Sequence, residues 1–166
     1  MGCKGLTLSF GDMSEADIPE LTRVMTRAFD DHPEKHLELE RGGPEGYDNG
    51  DFFRKWLFGY QETVGYKAVS AGRVIGAITV WTLEGGDNVP GTVSVDRDYQ
   101  DRGVHTRMWQ FVEATYPETK SWRLATPRWA TKNHYFYEAK CGFKKVESEP
   151  TLPISEEELE YRKDML

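Results

Sequence analysis

The feature that most constrains the fold is the alternation of strand and helix patterns between Thr92 and Val146. A short apolar strand ends at Val95, and a helix with one apolar side begins at Gly103 and stops before Pro117. A strand over 122–126, a short helix over 133–140 and a strand from 143 follow. The order strand, helix, strand, helix, strand predicts an α/β domain.

The part of the chain before Thr92 predicts strands that pair in sequence order. Leu6, Leu8 and Phe10 alternate with polar residues, which indicates a first strand that ends at Gly11. Further strands are predicted over 66–70, 74–83 and 92–95, with turns at 71–72 and 84–91. These segments predict an antiparallel meander.

Two helices are predicted ahead of the meander. The first is capped by Asp17 and carries an apolar stripe as far as Phe29. The second begins at Asp51, and its apolar residues are Phe52, Phe53, Trp56 and Leu57. Residues 30–51 between them predict a loop with one helical turn near His36. Residues 155–166 fit either a helix with Ser155 at its start or a last strand.

Composition excludes several classes of protein. A net charge of −7 at pH 7 argues against nucleic acid as the main partner, because phosphate binding needs clustered Lys and Arg. No apolar run approaches the roughly 18 residues of a membrane span, so no membrane partner is expected. Cys3 and Cys141 lie far apart without ligand spacing, so we expect no disulfide framework, no metal and a cytoplasmic location. The length predicts a single domain over 1–166.

The stretch from Val93 to Thr106 predicts an anion site. The first N–H groups of a helix have no partner within the helix, and the helix dipole is positive at that end. Gly103 lets a ligand approach the backbone closely, and Arg102 would add a charged contact. The same pattern also fits a plain turn with a solvated arginine, and no glycine-rich nucleotide motif accompanies it.

Two segments share their order and spacing with a known family. The first is Gln100, two residues, Gly103, one residue and His105, where the family commonly has Gln/Arg-x-x-Gly-x-Gly/Ala. The second begins at Asn133, passes through an aromatic run that ends at Tyr137, and closes with Cys-Gly-Phe at 141–143. Together they resemble the acetyl-CoA-binding segments of the GNAT family of N-acetyltransferases.

The resemblance implies an N-acetyltransferase that moves an acetyl group from acetyl-CoA, its co-substrate, to a primary amine of a small molecule or peptide. It implies an α/β fold with a mixed, mainly antiparallel central sheet, flanked by helices on both faces and splayed open beside Val95, where the backbone would donate to the developing oxyanion. Tyr137 is implied as the acid that protonates the departing thiolate. The implied cofactor-binding residues are Val93, Val95, Gln100, Arg102, Gly103, His105, Thr106 and Asn133.

Two departures from the family pattern carry expectations of their own. His105 stands where the family has Gly or Ala, so its side chain would either donate to the pyrophosphate or crowd it. Between Tyr137 and Gly142 the chain has one residue more than the commonest family spacing, which predicts a helix bulge or a shifted Tyr137.

The general base and the acceptor stay open at this level. A water chain or one of several side chains would serve as base: Asp96, Asp87, Glu84, His105, His32 or His36. Acidic residues near the predicted acceptor side would attract a cationic amine: Asp30, Asp31, Asp48, Asp51, Glu84 and Asp87. The alternatives to an enzyme are a CoA-binding or regulatory module without turnover and an oligomeric scaffold, and a homodimer is compatible with either.

Overall fold

The computed structural model describes residues 6–30, 46–59, 63–83, 85–147, 149–150, 152 and 154–165. The strands are β1 (Ser9–Asp12), β2 (Thr63–Ser70), β3 (Arg73–Trp81), β4 (Asp87–Val95), β5 (Ser121–Pro127), β6 (Lys144–Lys145) and β7 (Glu158–Asp164). They form one sheet in the order β1-β2-β3-β4-β5-β7-β6. Only β4 and β5 run parallel among the paired strands of the described ranges. The predicted mixed, mainly antiparallel sheet is confirmed.

The helical elements fall largely where the apolar periodicity predicts them. The α-helices are α1 (Ile18–Asp30), α2 (Val104–Thr115) and α3 (Thr131–Tyr135). Two π-helical turns cover Phe53–Leu57 and Phe136–Lys140, and two 3₁₀ turns cover Glu15–Asp17 and Arg97–Tyr99. No helix in the described part of the chain is both long and apolar enough to span a membrane.

The sheet is covered by helices on both faces. On one face, α1 and the Phe53–Leu57 turn bury an apolar cluster that includes Leu21 and Phe53 against β3. On the other face, α2 packs Met108 and Trp109 against Trp122 of β5 in a larger cluster. This arrangement confirms the predicted α/β fold, with the core divided between the two sides of the sheet.

β4 and β5 separate soon after they begin to pair. Their register joins Asp87 to Ser121 and Asn88 to Trp122, and no further pair follows before the strands end at Val95 and Pro127. The last residues of β4 therefore pair with β3 on one side and face an open gap on the other. The sheet is splayed at the position the sequence predicts.

Several predicted boundaries are wrong for identifiable reasons. β1 covers Ser9–Asp12, so it starts later than predicted and continues one residue past Gly11. The carbonyl of Leu6 accepts a hydrogen bond from Arg107 of α2 at 3.0 Å instead of joining the sheet. The predicted turn over 84–91 ends earlier, since β4 already begins at Asp87. The second predicted helix is a short one that ends in a π-helical turn. The last segment is a strand, β7, enclosed between β5 and β6.

Candidate functional site

The gap between β4 and β5 opens into a cleft of about 720 Å³. Most of the residues predicted to bind a cofactor line it: Val93, Val95, Gln100, Gly103, His105, Thr106 and Asn133. Tyr137 lies in the same wall. Arg102 is not among the lining residues, and its guanidinium carbon lies 5.4 Å from the centre of the Tyr99 ring.

The exposed edge of β4 presents backbone groups to the cleft. The N–H of Asp96 donates to the carbonyl of Ile75 on the β3 side, at 2.8 Å. Because backbone groups alternate in direction along a strand, the N–H groups of Val95 and Val93 point the other way, into the gap. The carbonyl of Val95 already accepts a hydrogen bond from Nε2 of Gln100 at 3.0 Å. Gln100 therefore folds the turn after β4 back against the strand.

The N-terminus of α2 closes one end of the cleft. Gly103 is its N-cap, with φ 80°, a left-handed conformation that favours glycine. The first intrahelical hydrogen bond runs from Arg107 N–H to the carbonyl of Gly103, so the N–H groups of 104–106 have no partner within the helix. These donors and the helix dipole attract an anion at this point.

The ring of His105 stacks on that of Phe136, with ring centres 3.6 Å apart. Its Nε2 is buried and makes no hydrogen bond with the described residues. Burial lowers the pKa of His105 to about 3, so the ring is neutral at physiological pH. His105 is thus a neutral ring packed on Phe136 in the lining of the cleft, so an imidazolium contact to the pyrophosphate is not expected at physiological pH. Whether the ring donates to the pyrophosphate or crowds it stays a prediction.

Tyr137 lies at the start of the π-helical turn that the extra residue before Gly142 predicts. It belongs to the core cluster, and its ring contacts those of His105, Phe143 and Tyr161. Burial raises the pKa of the phenol well above its ordinary value near 10. The helix bulge is confirmed, and Tyr137 stays at the cleft wall because the wider turn absorbs the added residue.

A family model described as Acetyltransferase (GNAT) family matches residues 21–143. The chain belongs to the GNAT family. A Bacillus subtilis (strain 168) protein, the uncharacterised YrkN, is 28% identical over 134 residues, which are 80% of this chain and 71% of YrkN. The matched range of this GNAT chain contains β2 to β5 and the segments that line the cleft from Gly91 to Lys140.

Solved structures of acetyltransferases from other organisms share the fold at low sequence identity. An acetyltransferase from Thermus thermophilus has a TM-score of 0.76 at 15% identity, over 96% of this chain and 98% of that one. The PaiA N-acetyltransferase from Thermoplasma acidophilum, in complex with coenzyme A, has a TM-score of 0.72 at 14% identity, over 96% and 99%. The ribosomal-protein-S18-alanine N-acetyltransferase from Escherichia coli has a TM-score of 0.71 at 12% identity, over 95% and 94%.

Two of the carboxylates considered as general base in this GNAT chain do not suit that role, because one is bound by two arginines and the other lies far from Val95. Asp96 is fully buried, and Oδ2 accepts from Arg23 at 2.6 Å while Oδ1 contacts Arg27 at 3.2 Å. Burial disfavours its charge, but the N–H of Asp98 and the two arginines outweigh burial and hold its pKa below the usual range. Asp87 lies at the other end of β4, about 26 Å from Val95 at 3.3 Å per residue.

None of the remaining acidic or histidine candidates for the base or for attraction of the acceptor is found in the lining of the cleft among the described residues, apart from His105. His32, His36, Asp31 and Glu84 lie outside the described residues, as does the side chain of Asp30. Asp48 and Asp51 are exposed and are not among the residues that line the cleft. The described residues contain no group of three or more His, Cys, Asp or Glu side chains that could hold a metal ion.

Some residues that line the cleft are not among those predicted from the sequence. Lys132 and Lys140 of the α3 region line it, and Lys132 pairs with Asp101 at 3.0 Å. The signal for both is their position on either side of the aromatic run that ends at Tyr137, which the sequence already places in the second family segment. Gly91 and Thr92 also line the cleft, and the signal for them is a Pro-Gly pair at 90–91 inside a strand, which is typical of a bulge.

Proposed function

We propose that this protein is an N-acetyltransferase that moves an acetyl group from acetyl-CoA to a primary amine of a small molecule or peptide. The observation that carries the proposal is the split between β4 and β5, which has helix donors at one end and Tyr137 in its wall. Membership of an acetyltransferase family supports the reaction class. The PaiA structure in complex with coenzyme A supports a related ligand here.

The residues of the cleft fit acetyl-CoA. The uncapped N–H groups at the start of α2 would hold the pyrophosphate, and Gly103 leaves room for close approach to the backbone. The N–H groups of Val93 and Val95 would bind the pantetheine arm and the carbonyl oxygen along β4. Asn133, whose Nδ2 donates to Thr126 Oγ1 at 3.3 Å, would orient the arm from the opposite wall.

Tyr137 is our candidate for the general acid. Bound acetyl-CoA supplies an acetyl group that is activated as a thioester. The Oη of Tyr137 is protonated at neutral pH, as an ordinary phenol with a pKa near 10 already is, so it has a proton available for the departing thiolate. Burial raises this pKa further, which makes the phenol a weaker acid until the ligand and the developing thiolate are in place. A free thiol has a pKa near 8.5, so protonation assists its departure at neutral pH. The paired state of Asp96 favours water as the route by which the amine loses its proton.

The acceptor is expected to enter beside α1, because Ala28 and Phe29 line the cleft on that side. Asp101 and Glu158 are the carboxylates among the described lining residues, and since Asp101 pairs with Lys132 beside the start of α2, the attraction for a cationic amine would come from Glu158. We propose that the protein is cytoplasmic and has no nucleic-acid or membrane partners. A homodimer is compatible with this function.

Calorimetric titration with acetyl-CoA, together with a thiol-release assay on a panel of amines, tests the function. Binding with amine-dependent release of CoASH is the expected result. Binding without release would favour a regulatory module that holds CoA. Absence of any CoA affinity would overturn the proposal and favour a scaffold.

A Tyr137→Phe variant tests the general acid. We expect kcat to fall about a hundredfold with an unchanged Kd for acetyl-CoA, because general acid catalysis contributes roughly 10²–10⁴. Tyr161→Phe is the matched control, since this buried phenol donates to Glu138 at 2.6 Å and is not among the cleft residues. Full turnover by Tyr137→Phe would remove the assignment while leaving the fold in place.

A further inference from the structure

Thr79 of β3 faces the one irregular position in its pairing with β4. The register joins Ile78 to Val93 but Val80 to Pro90, so two residues of β4 oppose Thr79 alone. An extra residue in one strand of an antiparallel pair is a β-bulge. The bulge lies where the cleft begins, because 91 and 92 are both lining residues.

The hydroxyl of Thr79 occupies the bulge. The N–H of Thr92 donates to Thr79 Oγ1 at 2.8 Å, where a regular ladder would use a backbone carbonyl. A Cβ built on Gly91 would lie 2.3 Å from the same oxygen, so the hydroxyl fills the space that glycine leaves. Thr79 is buried, with 3% of its surface exposed, so water has little access to that oxygen.

The place of the bulge decides which backbone donors face the cleft. Each residue along a strand reverses the direction of its N–H, and a shift of one residue reverses every group that follows. With Thr92 bound to Thr79, the first N–H of β4 after the bulge that points into the gap is that of Val93. If the bulge closed and the residues after it slipped by one position along β3, this N–H would turn toward β3.

We propose that Thr79 is a positioning residue whose hydroxyl locks the bulge of β4 and so presents the Val93 N–H to the carbonyl oxygen of the acetyl thioester. This inference rests on the proposed function. A side chain on β3, one strand away from the cleft, would thus control a hydrogen bond that the backbone of β4 makes to the ligand.

Thr79→Val removes the hydroxyl at nearly constant shape, and Thr79→Ser keeps it. Amide hydrogen exchange of the unliganded protein is expected to be at least about tenfold faster at Thr92 in Thr79→Val and unchanged in Thr79→Ser, because one buried hydrogen bond is lost. Thr63→Val, at a buried threonine of β2, is the matched control and should leave Thr92 protected. Unchanged protection of Thr92 in Thr79→Val would overturn the lock.

Ligand binding tests the second half of the proposal. Free CoA lacks the carbonyl oxygen, so Thr79→Val should weaken acetyl-CoA about fivefold by calorimetry and leave the CoA affinity unchanged, as the loss of one hydrogen bond predicts. In the turnover assay, kcat should fall about tenfold with little change in the KM for the amine, and Thr79→Ser should restore kcat.

The outcomes separate this inference from the proposed function. If wild type binds acetyl-CoA and turns over, but Thr79→Val weakens both ligands equally or keeps full kcat, the positioning role is overturned alone. If wild type binds neither ligand, the proposed function and the role of Val93 both fall.

Discussion

The two ends of β4 are stabilised by different kinds of contact. At its first end the strand pairs with β5, and the half-exposed carboxylate of Asp87 accepts a hydrogen bond from Ser121 at 2.6 Å. At its last end β5 has separated, and the buried carboxylate of Asp96 binds Arg23 and Arg27 of α1. A strand end that lacks a neighbouring strand on one side is thus held by charged side chains from a helix.

The largest expected effect comes from Asp96→Asn. Removing one charge from this buried cluster leaves two arginines facing a neutral amide, so we expect the free energy of unfolding to fall by about 3 kcal/mol. Asp87→Asn is the matched change at the other end, where solvent reaches the carboxylate, and it should leave the urea midpoint nearly unchanged. Equal effects of the two changes in urea unfolding would break the comparison.

The same pair of variants predicts a pH dependence. The pKa of Asp96 is lowered in the folded protein, so its contribution is complete above the unfolded pKa near 3.9 and is lost as pH falls through the folded pKa. The difference in unfolding free energy between wild type and Asp96→Asn should therefore shrink between about pH 5 and pH 3. A constant difference over that range would show that packing, and not charge, holds this end.

Gly91→Ala tests the bulge between the two ends. The added Cβ would lie 2.3 Å from Thr79 Oγ1, so we expect about 2 kcal/mol of destabilisation by overpacking and weaker acetyl-CoA binding. Gly11→Ala of β1 is the control, because its Cβ would meet only Lys67 at an ordinary 3.7 Å. Thermal unfolding and calorimetry measure both effects, and a stable Gly91→Ala protein with normal binding would contradict a tightly filled bulge.

His105 makes the stability of the open end depend on pH. Its folded pKa of about 3 lies below the unfolded value near 6.5, so the unfolded chain binds the extra proton and stability falls as pH drops below 6.5. The slope from this residue is at most about 1.4 kcal/mol per pH unit. His105→Phe keeps the stack on Phe136 without titrating, so urea unfolding at pH 7 and 5 should show a smaller loss than in wild type.

The smallest expected effect is that of Gln100→Ala. It removes the donor to the Val95 carbonyl at the open end and should cost about 1 kcal/mol in urea unfolding. Ser121→Ala removes the hydrogen bond to Asp87 at the closed end and serves as its counterpart. If Ser121→Ala lowered the free energy of unfolding more than Gln100→Ala, the closed end of β4 would depend more on side-chain hydrogen bonds than the open end, contrary to the comparison.

Sequence patterns predict where helices and strands lie better than they predict where strands end and where bulges interrupt them. The helix after Gly103 and the strand at 121–127 follow from periodicity and from the prolines that end them. The extent of β4 does not, because Pro90 and Gly91 carry the same local signal in a turn and in a bulge, and only pairing with β3 separates the two.

Most of the cleft follows from the two family segments, since Gly103, Asn133 and Tyr137 meet there. The state of each side chain does not follow. His105 is neutral because Phe136, a residue of another helical element, covers it, and Asp96 is bound by arginines 69 and 73 residues earlier in the chain. Such contacts between distant parts of the chain are invisible to local patterns.

The short pairing between β4 and β5 has a mechanical consequence. Two residue pairs join the four-stranded part of the sheet to the three-stranded part, so this seam has fewer backbone hydrogen bonds to break than any junction within either part except the short one at β6. One buried cluster spans the seam and contains Ile78 of β3, Met108 of α2 and Trp122 of β5, so side-chain packing joins the two parts where backbone pairing ends. A ligand bound in the gap would add contacts to both parts at the place where the sheet itself supplies none.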